Sequence, residues 1–191
     1  MFAQNIAQVV AFLKLNEKTW PVLSPAQLVE RLDRFIGAAL YLIRQMPDEK
    51  LNVEVPNRPR KYRVLAHHMF RIPEAFLEAA GGKFFSQGLP GEIARPEDKS
   101  STAALAAYGE GVRGRVAAWW TSRAEKSCQE VIETYYGPQK LHEVLERTTW
   151  HIGQHCRQWM MLLGMAGIEF ERPLDDPDFA DLPMPKKVWD E

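Results

Sequence analysis

Cysteine is scarce in this sequence: Cys128 and Cys156 are the two thiols among 191 residues. They make neither a disulfide framework nor a Cys-x-x-Cys pair, which excludes a stapled scaffold and leaves reduced cytoplasmic thiols as the simplest reading. Cys156 follows His155, but neighbours on a helix point about 100° apart and do not face each other. A nucleophilic thiol also needs a base and electropositive surroundings, so Cys156 is expected to be a packing residue. An excess of charge of one sign is missing as well, with 24 Lys and Arg against 25 Asp and Glu and a net charge of −1. A nucleic-acid partner, which calls for a basic excess on one face, is not expected. The local basic run Arg58-Pro59-Arg60-Lys61-Tyr62-Arg63 reads as a solvated helix start. Long apolar runs are absent: stretches such as Val9 to Leu13 fall far short of the ~20 residues that a bilayer requires. The first residues lack the charged start, apolar stretch and cleavage site of a signal peptide. No membrane association and a cytoplasmic location are expected.

What remains is a composition of 46% hydrophobic and 26% charged residues, with a length that suits one well-buried core. Residues 1–23 form an N-terminal extension that allows a short amphipathic helix through Ile6, Val9, Val10 and Leu13. Ser24-Pro25-Ala26-Gln27 then combines a capping Ser, a Pro at the first helical position and a Gln three after the cap. Leu28, Leu32, Phe35, Ile36, Ala39, Leu42, Ile43 and Met46 follow at helical spacing, and Pro47 stops the run. Asp48 to Pro59 reads as a loop. A second helix spans about Arg60 to Ala80, kinked at Pro73 and ended by Gly81-Gly82. Residues 83–98 make a Gly/Pro-punctuated loop, long enough for a lid or a dimer contact. A third helix covers about Ser101 to Ala124, where Gly109, Gly111 and Gly114 imply close packing or distortion. A fourth runs from about Pro138 to Ala166. Residues 169–191 form a Pro-rich tail with Phe179 and Trp189 as anchors onto the bundle. No segment shows convincing strand alternation, so the expected fold is an all-α four-helix bundle over residues 24–168.

The histidines carry the chemical information. In the last helix, Leu141, Val144, Thr148, Ile152, Trp159, Leu162 and Ala166 fall within about 60° of His155, and His151 lies about 40° away on the same stripe. His142 is about 180° from His151 and is expected to face solvent. In the second helix, Val64, Leu65, Ile72, Ala75 and Ala79 surround His68, while His67 points about 100° away on a polar flank with Arg60, Arg71 and Glu74. Three inward histidines left without partners would each cost about 1–3 kcal/mol. A metal ion removes that cost: His-x3-His stacks two rings on one helix face, and a third His from a neighbouring helix completes a facial nitrogen set with positions open to water or substrate. Thr148 and Gln158 are placed to orient the rings. The competing reading has the same rings hydrogen-bonded to hydroxyls or carbonyls. Trp119, Trp120, Trp150 and Trp159 read as core, with Trp150 bordering the site. No Asp or Glu is placed near it, and Glu74 is expected to point outward.

The segment Trp150-His151-Ile152-Gly153-Gln154-His155-Cys156-Arg157-Gln158, with Met161-Leu162-Leu163-Gly164 after it, resembles the last-helix motif of the DinB-like family. The segment from Leu65 to Leu77 resembles the second-helix motif of the same family. The resemblance covers roughly residues 24–166, and the N-terminal extension and Pro-rich tail depart from it. It implies a four-helix bundle, often a homodimer, holding one divalent metal ion (Ni, Zn or Fe) through His68, His151 and His155. It further implies a metal-dependent enzyme acting on a small molecule. A thiol S-transferase using bacillithiol, mycothiol or glutathione comes first. A metal-dependent hydrolase and a non-catalytic metal-binding or ligand-sensing bundle are the alternatives. A metal lowers the pKa of a bound thiol and would keep it as thiolate at neutral pH. The basic run at Arg58–Arg63 is a candidate for holding an anionic thiol.

Overall fold

The computed structural model describes residues 23–57, 59–88, 99–172 and 174–179. The expected N-terminal helix, the tip of the long loop at 89–98 and Trp189 lie outside these residues.

Four helices carry the fold: α1 (Pro25–Arg44), α2 (Tyr62–Ala80), α3 (Thr102–Ser122) and α4 (Leu141–Met165). Each begins near the expected boundary. The hydroxyl of Ser24 accepts from the amide of Gln27, and the Gln27 side chain reaches back to the amide of Ser24, closing the capping box ahead of α1. Ser101 caps α3 by accepting from the amide of Ala104. α2 continues past Pro73 and ends at Gly81, with Gly82 at φ +99°.

α1 packs against α3 and α4, and α2 packs against the same two, whereas α1 touches α2 sparsely. The first two helices therefore lie diagonally across the bundle, and α4 fills the gap between them. Its bond to α1 is tight. The Trp159 indole donates to the carbonyl of Leu42 at 3.2 Å, and the Cys156 thiol donates to that of Phe35 at 3.4 Å. Gly153 faces the Phe35 ring, which a Cβ would approach to 3.0 Å. Cys156 is fully buried, and burial pushes its thiol pKa well up, as befits a packing residue. The other face of α4 meets α2.

One feature departs from the sequence reading. Val131–Ile132 (β1) and Gln139–Lys140 (β2) form a short antiparallel pair, too brief for alternation to announce it. Residues 83–88 dock beside it, with Phe85 bridging to Thr134. In the tail, Phe179 is buried and its ring lies 6.0 Å from that of Phe35, as the expected anchor.

Candidate metal centre

α2 and α4 run side by side, and their contact brings the three histidines together. The ring centroids of His68 and His155 lie 4.9 Å apart, those of His151 and His155 4.9 Å, and those of His68 and His151 5.6 Å. Each ring offers one nitrogen, and the three nitrogens lie within 4.8 Å of one another. Donors around a tetrahedral ion at about 2.1 Å sit roughly 3.4 Å apart, so the set is near the spacing a metal requires. Among the described residues, no other group of three His, Cys, Asp or Glu side chains converges in this way.

Electrostatics suits the same purpose. Burial first, and then the neighbouring His68, hold His151 at about 4 and His155 at about 3, far below the usual 6.5. Both rings are neutral at pH 7, the state in which imidazole nitrogen can ligate. Gln158 Oε1 accepts from His155 Nδ1 at 2.9 Å. With its proton fixed on Nδ1, His155 presents the Nε2 lone pair. Thr148, the other residue expected to orient a ring, lines the adjoining cavity.

The three histidines are half-buried, not central to the core. The buried face of α4 includes Leu145, Thr149, Cys156 and Leu163, which rotates its centre roughly 60–100° from His155 and His151. They stand at the margin, where α4 borders α2 and solvent can enter. The sequence reading of the second helix needs a related correction. His67 is the more buried of the pair, at 1% exposure, because α3 covers it: its ring stacks on Tyr108 at 4.9 Å with planes 5° apart. Glu74 turns toward α3 too, bonded to the Tyr108 hydroxyl and to Arg115 at 2.5 Å. His142 is half-buried and donates to the carbonyl of Leu23 at 2.8 Å. It stays out of the site as expected, without facing open solvent. Trp150 is 48% exposed and lines neither cavity described below.

Two cavities open near the triad, and two of its histidines line the first. One, of about 230 Å³, is walled by His68, His151 and Thr148 with Arg60, Arg147 and Tyr135. Phe85 and Gln87 close it from the loop after α2. The second, of about 260 Å³, is lined by Val55, Leu65, Met161 and Leu162, together with Arg60 and the Gln158 that holds His155. Among the described residues, no carboxylate lines either one. Arg60, singled out with the basic run, is common to both; Arg58 lies outside the described residues. Arg147 and Tyr135 were not foreseen. Arg147 stands one helical turn before His151, a signal the spacing contained, whereas Tyr135 reaches the cavity through the hairpin loop.

No protein-family model matches the sequence, and no curated protein matches it. Solved structures share the fold, two Bacillus proteins among them. A DinB-like protein from Bacillus cereus superposes with a TM-score of 0.58 at 19% identity, covering 78% of this chain and 97% of that one. YfiT from Bacillus subtilis, described as a probable metal-dependent hydrolase with an unusual four-helix bundle topology, gives 0.56 at 13% identity, covering 81% and 96%. The chain has the fold of the DinB-like four-helix bundles, and its three clustered histidines can hold a metal ion.

Proposed function

We propose that this chain is a metal-dependent enzyme in which His68, His151 and His155 hold one divalent ion, Ni, Zn or Fe, and that it transfers a small thiol to an electrophile. The observation that carries the metal reading is the convergence of three imidazole nitrogens, two of them on strongly deprotonated rings, beside open cavities. When bound, such an ion lowers the pKa of a coordinated thiol or water toward neutrality. The chain's own residues do the rest. Gln158 fixes the tautomer of His155, burial keeps His151 and His155 free of protons, and the open side of the triad admits a substrate.

Thiol transfer is favoured by what lines the cavities. A bound ion eases loss of the proton from water as it does from a thiol, but general-base help to an attacking water would call for a positioned acceptor, and among the described residues neither lining contains Asp or Glu. A thiol that gives up its proton on coordination needs no such base, and the thiolate is already the nucleophile. The second reading, hydrolysis, draws on the likeness to YfiT and its description. The two separate in one assay. Zinc-loaded protein is incubated with a reduced thiol and 1-chloro-2,4-dinitrobenzene, and release of chloride with formation of the thioether is followed. We expect consumption of thiol above the uncatalysed rate, abolished by a chelator and restored by zinc. Ester hydrolysis without thiol consumption across a panel of thiols and electrophiles would replace this reading with the hydrolase.

A further inference from the structure

We infer that the substrate of this centre is an oxyanion carried on an apolar chain, a carboxylate or phosphate monoester whose charged end is held by Arg147 and Arg60 and whose tail lies along Leu65, Met161 and Leu162. This rests on the metal-dependent reading of the triad and names a substrate class for the same site.

Arg147 is built as a receptor, not as half of an ion pair. Its Nη2 donates to the Tyr135 hydroxyl at 2.8 Å, and its guanidinium lies 4.4 Å from the ring centre of Tyr136 and 5.6 Å from that of Tyr135. Stacking and hydrogen bonds to Tyr135 and Tyr136 fix the plane of the fork and leave other N–H groups for a ligand. Arg44, Arg113, Arg115 and Arg123 each pair with a carboxylate. Among the described residues, Arg147 and Arg60 pair with none, although both line the cavity that contains His68 and His151. An oxyanion, carboxylate or phosphate, is the group that two such guanidiniums bind best.

The apolar half follows from the second cavity. Met161 is 51% exposed and forms one wall with Val55, Leu65 and Leu162. Arg60 lines both cavities, so one molecule can lay its charge at Arg60 and Arg147, cross the histidines and extend into the apolar space. Leu65 and His68 are three apart on α2 and therefore neighbours on its surface, joining the apolar wall to the triad. The backbone holds Arg60 in place: its carbonyl accepts from the amide of Val55 at 2.8 Å across a turn at Asn57, which adopts φ +61°, a conformation Asn tolerates well.

The test is calorimetric titration of the zinc-loaded full chain with octanoate, octyl phosphate, octanamide and acetate. The inference predicts that octanoate or octyl phosphate binds at least tenfold more tightly than octanamide, and octanoate more tightly than acetate. The better of the two anions identifies the oxyanion. R147Q should weaken that ligand by about 10- to 100-fold, the loss of a charge-assisted contact, with zinc content unchanged. M161S should narrow the gap between octanoate and acetate. Binding to R147Q as tight as to wild type, equal binding of octanamide, or no binding of either long-chain anion would overturn the inference. Zinc content keeps this separate from the metal reading. A chain that takes up no zinc yet binds octanoate through Arg147 would refute the metal and keep the receptor. A zinc-replete chain indifferent to R147Q would do the reverse.

Discussion

Burial and the nearby His68 both oppose a proton on His151 and His155, and His67, buried under Tyr108, is also held down at about 4, by burial and then Lys99. Their usual value near 6.5 applies to the unfolded chain. Between that value and the folded one the unfolded chain holds protons that the folded chain lacks, so stability rises with pH across the window. The contribution is complete above about pH 6.5 and is lost as pH falls through 4 toward 3. Asp48, Glu78 and Asp178 are held below the ordinary carboxylate range and so act at lower pH. Chelator-treated protein should therefore unfold at lower urea concentration at pH 4.5 than at pH 7, and equal midpoints would contradict the assigned protonation states. Gln158→Ala removes the partner that fixes His155, and zinc affinity should fall by about 10- to 100-fold in competition with a chromophoric chelator. Unchanged affinity would show that Gln158 has no part in orienting the ring. The convergence of His68, His151 and His155 was legible because a spacing of four residues and a stripe position are properties of the sequence. Their depth was not. Which of His67 and His68 is buried more deeply depends on Tyr108, a residue from another helix.

At the level of elements, glycine sets how closely the helices approach. Gly109 of α3 faces Phe70 of α2, and a Cβ there would fall 2.5 Å from the ring. Phe70 is fully buried and has no space to retreat. Gly109→Ala should destabilise the protein by about 1–3 kcal/mol through overpacking, partly offset by about 1 kcal/mol of gained helix propensity. Gly114, with nothing within 4 Å of a Cβ, is the control, and Gly114→Ala should stabilise slightly. Denaturant unfolding of the pair decides, and an unchanged Gly109→Ala midpoint would contradict the packing. The helices were readable from local chemistry, through the Ser24 cap and the glycines after Ala80. The β1–β2 pair was not, since two residues per strand carry no period and its geometry is fixed by Gly137 at φ +105° and by Phe85 bridging to Thr134. That hairpin brings Tyr135 to the cavity, so this wall was hidden from the sequence along with it.

For the molecule as a whole, the connection order matters more than any single contact. Placing α1 and α2 on a diagonal lets α4 lie between them, bonded to α1 through Trp159 and Cys156 and open toward α2 through His151 and His155. One face of α4 thereby builds the core while its margin builds the site. The all-α bundle could be read from helix lengths and linkers, but not the diagonal arrangement, because each amphipathic stripe is compatible with several neighbours. The central claim is that His68, His151 and His155 form one metal site, and elemental analysis tests it most directly. Wild-type protein loaded with zinc and desalted should retain about one equivalent per chain, while His151→Ala and His155→Ala, with helical content preserved by circular dichroism, should retain close to none. A wild-type chain that keeps no zinc, nickel or iron after the same treatment, or alanine variants that keep a full equivalent, would contradict it.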